Sequence, residues 1–333
     1  MNWKPSRKGI VAKPLLFCCL LMMSFVALGQ NYLSRKEIIV VWKDTEIPEL
    51  TIYRAKDSVH LFWPYSRLFL KEVALPNYQA ALQQKTADTS SYRYFWQPLT
   101  PYLRGVERVY WVGEGLFEHV NPSFFALSKR RYLAQKHLFI FGKKSKEPPL
   151  FQAKNYHAND WGCAAKLHYT SREIGLLREQ AQKHGIKANE NWAAESHFLH
   201  FSTHSEEVFD PEGRTQYMLL GCDSIQQAAF TNFIENSQLR LCEHVFLSSC
   251  ESGWGGLEEE KSFLNLLQQK GVRRVLASTS TVNDRVAFLW SSFFYKCLFI
   301  NHNYYKSIRK TQKKLSKSYH SPTDWAAFSL WEF

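Results

Sequence analysis

The chain has 333 residues and a formal net charge of +12, and 45% of its residues are hydrophobic and 15% aromatic. This composition supports a sizeable core and excludes a disordered chain. The positive charge is scattered except for the runs Lys143–Lys146 and Lys306–Lys317. Runs of this kind are usually solvated faces, so no nucleic-acid partner is predicted, although attraction to anionic surfaces stays open.

Residues 1–29 have the three-part pattern of a cleavable signal peptide. An apolar run, Pro14–Leu28, follows a basic segment, and the small residues Ala27 and Gly29 predict cleavage before Gln30. The run is short for a membrane span, so an uncleaved anchor is the weaker alternative and a buried first helix is another. The pattern predicts a bacterial protein exported to the periplasm or beyond, with no stable membrane span after cleavage.

Residues 30–90 differ in pattern from the rest of the chain and are predicted to form a small accessory module. Glu37–Trp42 and Ser58–Trp63 are rich in β-branched or aromatic residues and favour short strands. Tyr78–Ser91 is polar and rich in alanine and glutamine, which is typical of a helix or a linker. The module is therefore expected to be β-rich.

From residue 91 to the C-terminus, short apolar strands alternate with helical patterns. The predicted strands are Arg108–Val112, His137–Phe141, His197–Ser202, His244–Ser248 and Arg274–Ala277. Helical spacing of apolar residues occurs after Ser171, with Glu173 in the first turn and Gly185 at the end, at Ile225–Ile234, and at Phe263–Leu267. Val286–Ile300 favours a buried core helix over a membrane span. The alternation predicts an α/β fold with three layers, α/β/α, around a mostly parallel sheet.

An odd number of cysteines remains after the signal peptide, so at least one is expected outside any disulfide. They are Cys163, Cys222, Cys242, Cys250 and Cys297. Because none forms a CxxC pair, zinc is not predicted. No metal or organic cofactor is expected, and calcium dependence stays open.

Two predicted strands run directly into reactive side chains. His204 follows the strand that ends at Ser202, and Cys250 follows the strand that ends at Ser248. Sites in open α/β sheets form beyond the carboxyl ends of strands, so the two side chains are candidates for a cysteine nucleophile and its acid/base. The backbone N–H groups of Cys250 and Ser205 are candidates for an oxyanion hole, and the glycines from Gly253 onward are expected to leave room for a substrate chain.

Other interpretations of these residues are possible. A cysteine at a strand end is usually a small buried residue, and an isolated loop histidine usually has no catalytic role. His200 lies inside its strand, which favours a core or supporting position. His197 and His244 open their strands and are predicted to be structural.

The blocks HFLHFSTHS (His197–Ser205) and VFLSSCESGWGG (Val245–Gly256) resemble the CHAT domain. This family belongs with the caspase-like cysteine peptidases, alongside caspases, separases and gingipains. The likeness extends from near Ser91 to the C-terminus, through YFWQPLTPYL upstream and SPTDWAAFSL downstream. The resemblance implies a caspase-like sandwich and a peptide or protein substrate.

Carried over by position, the resemblance makes His204 and Cys250 the catalytic pair. Asp284 falls where separases place the acid of the pocket for a basic P1 side chain, and a helix N-terminal position is the alternative role for it. Ser205 replaces the glycine usual after the histidine, and Ser280 replaces a tryptophan. The predicted function is an exported cysteine endopeptidase. The alternatives are an inactive peptide-binding copy and an envelope interaction protein, and the sequence does not set the oligomeric state.

Overall fold

The computed structural model of this chain describes residues 33–87, 89–142, 144–146, 149–160, 167–189, 196–209, 215–220, 234, 239, 241–250, 252–253 and 263–333. For residues 159–160, 204–209 and 215–220 the backbone alone is described. The predicted signal peptide and the predicted helix at Ile225–Ile234, apart from Ile234, lie outside these residues.

The described chain alternates strands and helices, as the sequence predicts. The strands are β1 (Glu37–Lys43), β2 (Glu49–Tyr53), β3 (Ser58–Phe62), β4 (Arg108–Val112), β5 (Ala126–Ser128), β6 (Arg131–Tyr132), β7 (Leu138–Gly142), β8 (Asn155–Asp160), β9 (Lys187–Ala188), β10 (Phe198–Ser202), β11 (His204–Phe209), β12 (Thr215–Leu220), β13 (His244–Ser248), β14 (Arg274–Ser278) and β15 (Phe328–Glu332). The α-helices are α1 (Leu75–Gln83), α2 (Thr89–Phe95), α3 (Thr170–Lys183), α4 (Phe263–Gln269), α5 (Asp284–Asn301), α6 (Tyr304–Leu315) and α7 (Pro322–Trp325). A helical turn at Arg67–Phe69 and a π-helical turn at Leu70–Ala74 lead into α1, and 3-10 turns lie at Gln97–Tyr102, Gly115–His119, Pro122–Phe124 and Leu133–Gln135.

Eleven strands form one sheet in the order β3-β2-β1-β4-β7-β15-β14-β13-β10-β8-β9. Most neighbouring pairs are parallel; the antiparallel pairs are β1–β2, β2–β3 and β14–β15. Strand β15 lies at the centre of the sheet, parallel to β7 on one side and antiparallel to β14 on the other. The predicted α/β class with a mostly parallel sheet is confirmed.

Helices cover the sheet on both faces around β13. Along the strand order, the connection β8–α3–β9 leads toward the edge formed by β9, whereas the connection β13–α4–β14 leads in the opposite direction. Because such crossovers are right-handed, α3 and α4 lie on opposite faces. Helices α5 and α6 pack on the α3 face, since α5 contacts both α3 and α6. Every residue of β10, β13, β14 and β15 is buried, as expected for strands covered on both sides.

The predicted core helix at Val286–Ile300 is confirmed as α5. Its inward face is aromatic: Trp290, Phe294 and Tyr295 contact the ring of Phe246 on β13, with centroids 5.7–5.9 Å apart. Burying one such side chain contributes about 1.5–3 kcal/mol, so this aromatic layer is a major source of stability. Among the described residues, no helix is both long enough and apolar enough to cross a membrane.

The N-terminal strands extend the same sheet. The first strand, β1, pairs in parallel with β4, and β2 and β3 follow it toward the edge. The expected β-rich character of this segment is confirmed, and the domain boundary near residue 90 stays a prediction. The predicted helix after Ser171 is present as α3, which begins at Thr170 with Tyr169 at the N-cap position.

A buried polar chain links the two halves of the sheet. Arg274 donates to Glu332 over 2.9 Å, and the Tyr305 hydroxyl donates to the same carboxylate over 2.9 Å. With the Tyr305 proton on Glu332, the Tyr110 hydroxyl can donate its single proton to Tyr305, 3.0 Å away, or to Glu37, 3.4 Å away. Burial raises the pKa of Glu332 although Arg274 donates to it. These bonds tie β14 and β15 through α6 to β4 and β1.

Candidate active site

The backbone brings His204 and Cys250 to the same edge of the sheet. Strands β10 and β13 are parallel neighbours, and their last residues, Ser202 and Ser248, are paired. The Thr203 amide still bonds to the Ser248 carbonyl, over 3.2 Å. His204 and Cys250 each lie two residues beyond that last pair. Since neighbouring strands are about 4.8 Å apart, the two residues leave the sheet side by side. The His204 side chain lies outside the described part of the chain, so its contact with the thiol stays a prediction.

The segment that begins at His204 is a strand. His204–Phe209 forms β11 and pairs antiparallel with β12, with His204 opposite Leu220 and Ser205 opposite Leu219. The turn residues Asp210–Gly213 (DPEG) between two stretches with β-forming residues are the signal that predicts this hairpin. The proposed oxyanion donor at Ser205 is therefore in a strand, and its role stays a prediction.

The thiol of Cys250 lies against the backbone of Val282. Its Sγ accepts from the Val282 N–H over 3.3 Å and lies 3.4 Å from the Val282 carbonyl oxygen. The side chain is half-buried, and the residue is not in a disulfide. An N–H group aimed at the sulfur stabilises negative charge there, as a nucleophilic thiolate requires. The segment between β14 and α5 thus forms one wall of the site.

Ser252 holds the turn that follows the cysteine. Its buried hydroxyl lies 3.3 Å from the carbonyl oxygens of Leu247 and Ser249, and it accepts from the Ser278 N–H at 3.3 Å. These bonds join the end of β13 to the end of β14 around Cys250. Sequence analysis missed this role, and a small hydroxyl residue two positions after the nucleophile is the signal for it.

Gly253 is packed against the sheet. Its N–H bonds to the Ser278 carbonyl over 2.8 Å, and an added Cβ would lie 3.1 Å from Trp331 Nε1 and 3.2 Å from Ala277 Cβ. The interpretation that this glycine leaves room for substrate is therefore wrong; the close approach is internal. Gly255 and Gly256 lie outside the described residues.

Asp284 is the first residue of α5 and also anchors the start of α3. One carboxylate oxygen accepts the backbone N–H groups of His168, over 2.7 Å, and Tyr169, over 3.1 Å. Asn283 supplies the helix cap by accepting from the Arg285 N–H. The helix N-terminal role is thus present. Asp284 is two residues from Val282, the residue is half-buried, and its second carboxylate oxygen accepts no hydrogen bond from the described residues. The P1-binding role stays a prediction.

A buried polar cluster supports the end of β10. His200 is fully buried, with Nδ1 2.9 Å from the Tyr295 hydroxyl and Nε2 3.0 Å from a Glu173 carboxylate oxygen. The other Glu173 oxygen accepts from the Ser202 hydroxyl over 3.0 Å. The prediction that His200 is a core or supporting residue is confirmed. Glu173 was missed; the signal is an acid beside Ile174 on the apolar side of a helix.

His197 and His244 have structural positions, as predicted. His197 Nδ1 lies 2.6 Å from the Asn155 side-chain oxygen at the opposite end of the sheet from Cys250. His244 is completely buried between aromatic rings, and burial together with Arg274 holds its pKa well below the usual range. The described residues contain no group of three or more His, Cys, Asp or Glu side chains arranged to bind a metal ion.

Comparison with known proteins identifies one family. A family model described as the CHAT domain matches residues 156–331, which run from β8 to β15. No curated protein matches the chain. The similar solved structures include the crystal structure of gingipain R, an Arg-specific cysteine proteinase, and the complex of the pro- and mature domains of RgpB from Porphyromonas gingivalis. The match to the first has 10% sequence identity and a TM-score of 0.43, and it covers 79% of this chain and 69% of the gingipain chain. The second has 10% identity and a TM-score of 0.44, with coverages of 79% and 70%.

Proposed function

The chain belongs to the CHAT domain family, and on that premise we propose that it is a cysteine endopeptidase in which Cys250 is the nucleophile and His204 the general acid and base. The observation that carries the proposal is the register of β10 and β13, because both residues follow a paired strand end by the same number of positions. Two adjacent parallel strands are the simplest way to hold a thiol and an imidazole within reach.

The reaction has two steps. The Cys250 thiolate attacks the carbonyl carbon of the scissile peptide, and the resulting oxyanion is bound by the backbone N–H groups of Cys250 and Ser205. The protonated His204 gives its proton to the departing amine, which leaves a thioester on Cys250. His204 then takes a proton from water, and the hydroxide releases the acid product and restores the thiolate.

Two finer features belong to the same proposal. A half-exposed carboxylate at Asp284, two residues from the thiol's neighbour Val282, favours a basic side chain at P1. The basic, apolar and small-residue pattern of residues 1–29 favours export to the periplasm or outside the cell.

An electrophilic peptide probe tests the nucleophile. Mature protein is incubated with an acyloxymethyl-ketone peptide and the labelled site is read by mass spectrometry. Wild type is expected to label at Cys250 and Cys250→Ala not at all, because the other described cysteines lie elsewhere: Cys242 is buried and Cys297 lies on α5. Cys242→Ala and Cys297→Ala are the controls and should label normally.

Two outcomes contradict the proposal. Peptide hydrolysis by a folded Cys250→Ala protein would exclude a cysteine peptidase. A wild-type protein that binds peptides but neither labels nor cleaves them would be an inactive copy of the fold, and Ser205→Gly would then be the first variant in which to look for restored activity.

A further inference from the structure

A strongly basic groove lies on the first half of the sheet. Its volume is about 880 Å³, and none of the residues around Cys250 lines it. Strands β1, β4 and β7 form its floor, and α6 and the segment after β7 form its sides. Among the described residues, seven cationic and two acidic side chains line it. The groove is therefore separate from the candidate active site, and it is positively charged.

The cations come from distant parts of the sequence. Lys144 and Lys146 follow β7, Lys136 precedes it, and Lys306, Arg309 and Lys310 lie on α6. Sequence analysis treated the two lysine-rich runs as separate solvated faces, but the fold brings them to opposite sides of one groove. The helical layer adds no acid to this surface, because the chain contains no Asp or Glu between Asp284 and Asp324.

The two acidic residues are already paired. Glu37 accepts from Arg108 over 2.8 Å and from Lys144 over 2.7 Å. Glu107 pairs with Lys36, which lies outside the groove, over 2.5 Å. Within the described residues, Lys136, Lys306, Arg309 and Lys310 form no ion pair with either carboxylate.

Arg309 is held in place without an acidic partner. Its guanidinium donates to the carbonyl oxygens of Ala134 and Gln135 on the side next to β7. In the described part of the chain no carboxylate lies within 4.0 Å of it. A fixed, half-buried guanidinium that has only neutral acceptors is poised to bind an anion.

We propose that this groove binds a small anion carrying several phosphate groups. The volume lies within the range of small-molecule sites, roughly 300–1,000 Å³, and is too small for a folded partner. Among the described residues that line the groove, cations outnumber acids by five, and a ligand with several charges on few atoms matches this excess better than a dicarboxylate, which supplies two. Lysine and arginine bind phosphate oxygens through charge-assisted hydrogen bonds.

Calorimetric titration with inorganic tripolyphosphate tests the site. The protein is the mature chain carrying Cys250→Ala, so that the outcome is independent of peptidase activity. One binding site is expected, and Lys136→Ala combined with Lys306→Ala should weaken binding at least about tenfold through lost charge-assisted bonds. Both lysines are exposed, so the variant is expected to fold. Lys313→Ala combined with Lys317→Ala removes the same charge from exposed positions outside the groove and should weaken binding less than about twofold.

Three results would overturn the inference. Equal loss of binding in the two double variants would mean diffuse attraction to a basic protein. Equal affinity for orthophosphate and tripolyphosphate would exclude a ligand with several phosphates. Tighter binding of a poly-glutamate peptide than of tripolyphosphate would indicate an acidic polypeptide partner instead.

Discussion

Removing the carboxylate of Glu173 tests whether the buried cluster below the candidate active site stabilises the end of β10. Glu173, His200 and Ser202 are all buried, with exposed fractions of 2%, 0% and 1%. Glu173→Ala leaves the Ser202 hydroxyl without its acceptor, whereas His200 Nε2 lies 3.0 Å from the other Glu173 oxygen but makes no hydrogen bond to it. An unsatisfied buried polar group costs about 1–3 kcal/mol, so the variant should lose about 1–3 kcal/mol of unfolding free energy. Glu173→Gln keeps an acceptor for Ser202 in the same shape and should lose only about 1 kcal/mol.

Urea unfolding followed by tryptophan fluorescence measures these differences, provided that the slope with denaturant stays unchanged. Glu179→Ala is the matched control on the same helix. Glu179 is exposed and, among the described residues, pairs with Lys183 one turn away, over 2.5 Å, so its removal should cost no more than about 0.5 kcal/mol. A Glu173→Ala protein as stable as Glu179→Ala would refute the reasoning, because the cluster would then contribute no stability.

Four further outcomes are expected. His204→Ala should lower kcat/KM for a cleaved peptide nearly as much as Cys250→Ala, and the double variant should lose little more, since residues of one catalytic unit are not additive; full activity in His204→Ala would exclude its role. Asp284→Asn should weaken a preference for Arg or Lys at P1 by about tenfold to a hundredfold in a peptide library; a wild-type preference for acidic or apolar P1 residues would count against the pocket. N-terminal sequencing of protein expressed in a Gram-negative host should begin near Gln30, whereas a retained Met1 would exclude cleavage. Burial raises the pKa of Glu37, but bonds from Lys144 and Ser34 and the charge of Arg108 outweigh it and lower the pKa from 4.5 to about 2. The ionised Glu37 carboxylate therefore stabilises the folded protein by about 3 kcal/mol above pH 4.5, and this stabilisation is lost as pH falls toward 2. In urea titrations, the difference in unfolding free energy between wild type and Glu37→Gln should shrink over that pH range. A difference that stays constant with pH would exclude a depressed pKa at Glu37.

Much of the fold follows from local sequence patterns. The strands next to the candidate site are short and apolar without interruption, as in β13, so their positions could be predicted to within one residue. The expectation that His204 and Cys250 lie at the same edge followed from the rule that parallel strands end together, and the register of β10 and β13 agrees with it.

Other features depend on contacts between distant segments. The pairing of Val282 with Cys250 spans 32 positions and is set by how the segment after β14 turns over the sheet. Strand β11 begins with four polar residues (HSEE), a composition that is also common in loops, so the sequence of this strand alone does not predict the hairpin β11–β12. Glu173 looked like an ordinary first-turn acid because sequence does not show which side of α3 faces β10.

The central position of β15 has a consequence for how the protein is made. This strand comes last of the described strands in the chain, yet it joins β7 to β14. While the ribosome is still adding residues before 328, the two half-sheets each have an open, apolar edge, at β7 and at β14, with no strand between them. Such edges pair readily with other chains. Synthesis that stops short of β15 is therefore expected to yield a nascent protein that depends on chaperones and aggregates when released, because the sheet cannot close until its final strand has emerged.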